Sequence, residues 1–260
     1  LVYHEPLIDG TYRESPVMTV EDRGELFHQV MACGDDRVAV MLCSASADPR
    51  DARELTLLAS ELGGLPMVTA PFVSEITDQQ IVSYFKEMAP LSKTGILVYN
   101  APGIGITLSP ALLEQLAEIP NVVGIKQGDL NPTAIDQIAN RLRGRLRLFC
   151  ASDLAFLGPM MAGFDGISTT NSGALPELII NTFRDAATAR DLHQLWYAYR
   201  ALARKHGQPQ LVKAAMALRG FNGGTVRAPL KPIDDAALAE LTRVMQALAS
   251  DQRSGVTLAR

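Results

Sequence analysis

The stretch Asn121-Val-Val-Gly-Ile-Lys126-Gln-Gly-Asp129 places a lysine directly after a short apolar segment. Such a run, rich in β-branched residues, is typical of a strand that is buried on both faces of a parallel sheet. Lys126 would then stand at the C-terminal end of that strand, where partial removal from water disfavours the ammonium form and lowers the pKa of the side chain. A neutral amine can attack a carbonyl carbon and form a Schiff base. The stretch alone leaves a second interpretation open, in which the side chain extends to water and has no catalytic role.

Outward from this stretch, strand-like and helix-like segments alternate along the chain. The other strand-like segments are 1–3 or 6–8, followed by 37–43, 67–71, 95–100, 147–151 and 166–170. Helix starts are indicated by Thr19, Asp48-Pro49, Thr77 with Gln80, Ser109-Pro110 and Asn131-Pro132. Repeated βα units with short loops predict an α/β fold with a parallel sheet.

The number of strands indicates which kind of parallel sheet to expect. We count seven strands, whereas a closed TIM (β/α)8 barrel needs eight. Either the first β/α unit is missing from this sequence or the barrel is open, and we expect the first because an open parallel edge would expose unpaired backbone groups. Beyond residue 187 only helical periodicity remains, at about 188–219 and 233–249, with a glycine-rich loop at 220–229 between them. The sequence therefore predicts strands two to eight of a barrel in residues 1–187 and a C-terminal helical bundle in residues 188–260.

Composition excludes several classes of function. The net charge is −4 over 260 residues with scattered basic residues, which does not favour binding to nucleic acid or to a membrane surface. No apolar run approaches the length of about 20 residues that a membrane span needs. Cys33, Cys43 and Cys150 are widely spaced, and neither cysteine nor histidine shows the spacing of metal ligands, so we expect no metal and no cofactor. Without a signal-peptide pattern, the cytoplasm is the expected location.

Other polar residues stand where active sites of barrels lie, at the C-terminal ends of strands. Tyr99 ends the strand that precedes the lysine strand, and parallel neighbours are only about 4.8 Å apart. The loop at Gly10-Thr11 offers backbone N–H groups and a hydroxyl for a carboxylate, and Ser168 brings a hydroxyl to the end of the last strand. Each also has a purely structural explanation, such as a turn role for Thr11.

Together these segments resemble the dihydrodipicolinate synthase / N-acetylneuraminate lyase family of class I aldolases. The matching pieces are Tyr99-Asn100-Ala-Pro102, Pro120-Asn-Val-Val-Gly-Ile-Lys126, Ala151-Ser-Asp153, Gly166-Ile-Ser168, Val212-Lys213-Ala214, and the segment from Gly10-Thr11 through Glu14 to Arg23. The resemblance spans nearly the whole chain. It implies an eight-stranded barrel followed by a C-terminal helical bundle.

The resemblance also implies the roles of individual residues. Lys126 would form the Schiff base with a 2-oxo acid such as pyruvate, and Tyr99 would transfer protons. Thr11, with Tyr12 beside it, would hold the carboxylate of the substrate, and Ser168 would contact the bound acid. The implied activity is that of a lyase or aldolase that cleaves or forms a C–C bond without a cofactor, in a homodimer or homotetramer.

Departures from the family pattern in three segments keep alternatives open. Tyr12 and Arg13 replace a small hydroxyl residue and a glycine, and Val73 replaces a second tyrosine of the synthase branch. Gly103-Ile104-Gly105 lacks the arginine with which that branch holds the carboxylate of its second substrate. These changes argue against the synthase of the lysine pathway. The alternatives are a dehydratase or deaminase, a synthase-like activity through the same imine, and a barrel that binds a small acid but has impaired catalysis.

Overall fold

The computed structural model describes residues 7–8, 14, 17–33, 38–100, 102–103 and 105–259. Within these residues seven strands form one sheet, and every neighbouring pair is parallel. In chain order the strands are β1 (Leu7–Ile8), β2 (Met41–Cys43), β3 (Leu65–Thr69), β4 (Ile96–Asn100), β5 (Val122–Gln127), β6 (Arg147–Cys150) and β7 (Gly166–Ile167). Each strand lies beside the next one along the chain. The predicted α/β fold with a parallel sheet is therefore confirmed.

Helices connect the strands, and most of them begin where the sequence predicts. They are α1 (Val20–Cys33), α2 (Pro49–Glu61), α3 (Asp78–Met88), α4 (Pro110–Leu116), α5 (Pro132–Leu142) and α6 (Leu157–Ala162), and α7 (Pro176–Arg184) follows β7. The Thr77 hydroxyl accepts the Gln80 N–H, and the Gln80 side chain accepts the Thr77 N–H, so the predicted capping box is present. Each cap supplies partners for N–H groups that the first helical turn cannot satisfy by itself.

Successive residues of a strand point to opposite faces of a sheet, so each face builds its own packed layer. One layer consists of Met41, Cys43, Met67, Leu97, Tyr99 and Phe149. On the opposite face, Val40 and Leu42 pack against Phe27 of α1 and against Leu55 and Ala59 of α2. The sheet is thus covered by helices on one side and by its own side chains on the other.

The β5 segment departs from its predicted burial at one residue. Val123 is 38 % exposed, whereas the sequence predicts a strand buried on both faces. The pairing with β4 explains the difference, because Ile96 lies opposite Val122 and Leu97 lies opposite Gly124. Val123 is thus the extra residue of a bulge near the start of the strand, and its side chain turns outward.

Contacts divide the chain into two compact units. The first contains Leu7–Ile8 and Met18–Ser168, and the second contains Glu14, Val17 and the chain from Thr169 onward. The second unit holds α7 together with α8 (Ala186–Leu195), α9 (Tyr197–His206), α10 (Gln208–Leu218) and α11 (Asp235–Ser250). The domain boundary between residues 187 and 188 stays a prediction.

Two details of the later elements differ from the sequence patterns. The periodic region 188–219 is divided into separate helices at Trp196 and at Gly207, whose φ of 89° no regular helix adopts. The strand predicted at 166–170 ends at Ile167, and a short 3₁₀ helix begins at Thr170. No helix in the described part of the chain has both the length and the apolar character to cross a membrane.

Candidate active site

Lys126 lies near the C-terminal end of β5, in a row of residues that crosses the sheet. Thr69 lies opposite Tyr99, Tyr99 opposite Lys126, Lys126 opposite Phe149, and Phe149 opposite Gly166. Residues that lie directly opposite each other share a face of the sheet. Lys126 therefore projects from the face where Tyr99 and Phe149 pack, and not from the helix-covered face.

The surroundings of Lys126 are aromatic and remote from water. Its side chain is only 5 % exposed, so it does not extend into solvent. The Nζ atom lies 4.0 Å from the centroid of the Tyr99 ring, which is the geometry of a cation–π contact. The structure thus brings together the lysine and the tyrosine that the sequence singled out, with the nitrogen over the ring face.

Two glycines allow this close packing around the row. A Cβ atom on Gly124 would lie 2.8 Å from the Arg147 carbonyl oxygen and 2.8 Å from Leu97 Cδ1. A Cβ atom on Gly166 would lie 3.0 Å from the Phe149 ring. The glycine two residues before the lysine in the opening stretch therefore has a packing role, because a larger residue would push β5 away from its neighbours.

Ser168 brings a hydroxyl group to the same edge of the sheet. Its N–H donates to the Cys150 carbonyl over 2.8 Å, which continues the pairing of β7 with β6. The position two residues after Gly166 places Ser168 on the face of Phe149 and Lys126. Its Oγ atom is buried and has no hydrogen-bond partner among the described residues. A buried hydroxyl of this kind is suited to bind a ligand, since leaving it unpaired costs free energy.

The carboxylate-binding residues that the sequence predicts, Thr11 and Tyr12, lie outside the described residues, as does Arg13. Glu14 is described and has a left-handed backbone with φ of 59°. Its carboxylate accepts a hydrogen bond from Lys213 Nζ over 2.8 Å and another from the Arg227 N–H. Burial raises the pKa of Glu14, but these hydrogen bonds and the nearby positive charges lower it by more, so the net pKa lies below 4.5. This ion pair lies within the second unit.

Three polar residues close to the strand ends lie in the motifs of the sequence but were not predicted to have a role. Arg23 of α1 is buried and donates to the carbonyls of Cys43, over 2.5 Å, and Ala45, over 2.9 Å. Asn100 and Gln127, which directly follow Tyr99 and Lys126, are fully buried. A sequence signal exists for the amides, because polar residues that interrupt a buried strand need hydrogen-bond partners.

Comparisons with known proteins identify the family of this chain. The model of the dihydrodipicolinate synthetase family matches residues 7–248. A 4-hydroxy-tetrahydrodipicolinate synthase from Synechococcus elongatus is 31 % identical over 253 residues, which are 94 % of this chain and 82 % of the relative. The enzyme of the same name from Bacillus velezensis is 28 % identical over 249 residues, 93 % of this chain and 86 % of its own length.

Solved structures of the family have the same fold. A dihydrodipicolinate synthase from Cyanidioschyzon merolae, with lysine bound, superposes with a TM-score of 0.85 at 23 % identity and covers 93 % of this chain and 85 % of its own. A prophage protein of the family from E. coli K12, in complex with pyruvate, gives a TM-score of 0.84 at 22 % identity, with coverage of 92 % and 85 %. Because the family model matches most of the chain, this protein belongs to the dihydrodipicolinate synthetase family, as the resemblance of its motifs predicted.

Proposed function

We propose that this protein is a lyase or aldolase that forms a Schiff base between Lys126 and a 2-oxo acid of the pyruvate type. The observation that carries the proposal is the buried amine, 5 % exposed, over the ring of Tyr99 at the C-terminal end of a parallel strand. Family structures described in complex with pyruvate support the class of substrate.

The proposed chemistry begins with the uncharged amine. Removal of an ammonium group from water costs several kcal/mol, whereas an aromatic face stabilises it by about 2 kcal/mol. In the proposed step the amine attacks in its uncharged form, which burial favours. The nitrogen lone pair attacks C2 of the 2-oxo acid, and the resulting carbinolamine loses water to give a protonated imine.

The protonated imine then serves as an electron sink. A proton or a carbon substituent can leave C3 as its bonding electrons move toward the nitrogen, and the reverse step forms a C–C bond. In this scheme the Tyr99 hydroxyl supplies and accepts the protons at the carbinolamine oxygen. The Ser168 hydroxyl donates a hydrogen bond to the bound acid. Thr11 and Tyr12 remain the predicted holders of its carboxylate.

The proposal includes the finer features of the fold. Seven parallel strands in chain order are what a (β/α)8 barrel contains after its first strand, so we propose that the face of Lys126 lines the interior of such a barrel. The C-terminal helical extension, the homodimer or homotetramer and the cytoplasmic location likewise remain predictions.

A second candidate is the synthase reaction after which the relatives are named. The resemblance of the motifs implies that in this reaction the imine condenses with a charged aldehyde. The loops after β3 and β4 argue against it. Residues 70–77 and 101–109 contain no lysine, arginine or histidine. Val73 is 50 % exposed, and Gly105 lies against Phe72, whose ring would be 2.9 Å from an added Cβ atom. Without a cationic side chain in these loops, an uncharged partner molecule is favoured over one that carries a carboxylate.

Borohydride reduction in the presence of pyruvate, followed by peptide mass analysis, tests the proposal. We expect a reduced adduct on the peptide that contains Lys126, and none in the Lys126→Arg variant. The matched control is Lys93→Arg, which changes an exposed lysine and should leave the adduct unchanged. An unmodified Lys126 peptide across a panel of 2-oxo acids would instead favour the acid-binding barrel without catalysis. Product analysis with charged and uncharged aldehydes would then separate the two candidate reactions.

A further inference from the structure

Behind the Tyr99–Lys126 pair lies a second pair of side chains, on the opposite face of the same strands. Asn100 lies opposite Gln127 in the pairing of β4 with β5. Both side chains are fully buried, and Asn100 Nδ2 donates to Gln127 Oε1 over 3.0 Å. Each amide is the chain neighbour of one of the two candidate active-site residues, so this contact joins the two strands next to Tyr99 and Lys126.

Further hydrogen bonds hold this amide pair in place. Asn100 Nδ2 also donates to the Leu108 carbonyl over 3.0 Å, and Asn100 Oδ1 accepts the Leu108 N–H over 2.9 Å. Gln127 Nε2 donates to the Asp129 carbonyl over 2.7 Å. Each amide oxygen and nitrogen has a partner of the right kind, so both amide groups are held in one orientation. The pair therefore connects the C-terminal ends of β4 and β5 with the loops that follow them in one hydrogen-bond network.

The bulge at Val123 leaves the register at the C-terminal ends of β4 and β5 dependent on contacts near those ends. The pairing of β4 with β5 shifts by one residue between Ile96 and Leu97, so the start of β5 does not fix the register of its end. A slip by one residue would turn every later side chain of β5 to the other face of the sheet. Lys126 would then point toward the helices. The Asn100–Gln127 contact, together with the bond from the Gly128 N–H to the Asn100 carbonyl over 2.7 Å, opposes that slip.

We propose that Asn100 and Gln127 are positioning residues, which hold the Lys126 nitrogen over the Tyr99 ring by fixing the register of β4 and β5 after the bulge. This inference rests on the proposed function, since it assigns a role in imine formation. Gln127 acts on the reaction only through the strand that carries Lys126. A displacement of about 1 Å between reacting groups can cost about 10²-fold in rate.

Two substitutions at Gln127 break the contact in different ways. Gln127→Met keeps the length of the side chain and removes both polar atoms. Gln127→Asn keeps the amide but shortens the side chain by one methylene group, so that it cannot reach Asn100. If one of the variants fails to fold, the other still tests the contact. The matched control is Ile138→Val, which removes a methylene group from a fully buried position on α5, outside β4 and β5.

The assay measures the rate of adduct trapping with borohydride as a function of pyruvate concentration, well below the unfolding temperature of each variant. We expect both Gln127 variants to lower the rate at saturating pyruvate by about 10- to 100-fold. The half-saturating concentration should change by less than about threefold, because the groups that bind the acid remain in place. The Ile138→Val control should keep the rate of the unmodified protein.

The outcomes separate the two ideas. If the unmodified protein forms no adduct on Lys126, the proposed function and this inference both fall. If it forms the adduct and the Gln127 variants react as fast as the Ile138→Val control, the proposed function stands and the positioning role is overturned. Slowing of all three variants alike would also overturn it, since that result indicates a general effect of lost stability.

Discussion

The packing around the lysine row leads to a stability prediction for Gly124→Ala. The added Cβ atom would lie 2.8 Å from the backbone oxygen of Arg147 and 2.8 Å from Leu97 Cδ1. A carbon atom normally lies about 3.3 Å or more from an oxygen, so β5 and β6 must move apart by about 0.5 Å. Because the oxygen belongs to the backbone, no side-chain rotation can relieve the contact. Overpacking of this kind costs about 1–3 kcal/mol.

That cost is large enough to measure. For chains of 150–250 residues each kcal/mol shifts Tm by about 2–4 °C, so Gly124→Ala should lower Tm by about 2–12 °C. The control is Gly158→Ala in α6, where an added Cβ atom has no neighbour within 4 Å. There alanine should stabilise the helix by about 0.5–1 kcal/mol. Urea unfolding would give both free energies, and an unchanged free energy of unfolding for Gly124→Ala would refute the close packing of the row.

The remaining predictions concern the site and one ion pair. Tyr99→Phe should slow turnover by about 10²-fold if the hydroxyl transfers protons, and near-normal turnover would remove it from that role. Ser168→Ala should raise the half-saturating pyruvate concentration about fivefold, the loss of about one hydrogen bond, without lowering Tm. Burial raises the pKa of Glu177, but the Arg219 hydrogen bond, a backbone hydrogen bond and the charge of Arg219 together lower it by more, so the net pKa lies below its ordinary value of 4.5. A depressed carboxyl pKa stabilises the fold above the unfolded value. The unmodified protein should therefore have a higher Tm than Glu177→Gln above about pH 4.5, and this difference in Tm should shrink as the pH falls further. A difference that does not change with pH would contradict this.

Local signals in the sequence predicted most of the first unit. The capping box of Thr77 and Gln80 and the Asp48-Pro49 start mark helix ends because these residues act on their own first turn. The lysine strand was also predicted from a local signal, its run of apolar, β-branched residues. By contrast, the extra residue at Val123 depends on how β4 pairs with β5, so a single-strand pattern could not show which side chain would turn outward.

The candidate site shows the same limit. The spacing of Tyr99 and Lys126 placed them on adjacent strands, but it did not determine whether the nitrogen would meet the hydroxyl or the ring face. The Asn100–Gln127 contact joins residues 27 positions apart in sequence, and only the strand register brings them together. Likewise, α8 ends at Leu195 although neither glycine nor proline follows it. The next residue, Trp196, is fully buried, so tertiary packing rather than a local signal accompanies the end of this helix.

The distribution of the three thiols has a practical consequence. Cys43 and Cys150 are buried in the sheet, so neither is accessible to a reagent in water. Burial also raises the pKa of the Cys150 thiol to about 12, which disfavours the reactive thiolate. Cys33, the last residue of α1, is exposed. Of these three thiols, a maleimide dye at neutral pH should therefore label Cys33 alone. Fluorescence from that dye would report binding or assembly without any engineered cysteine.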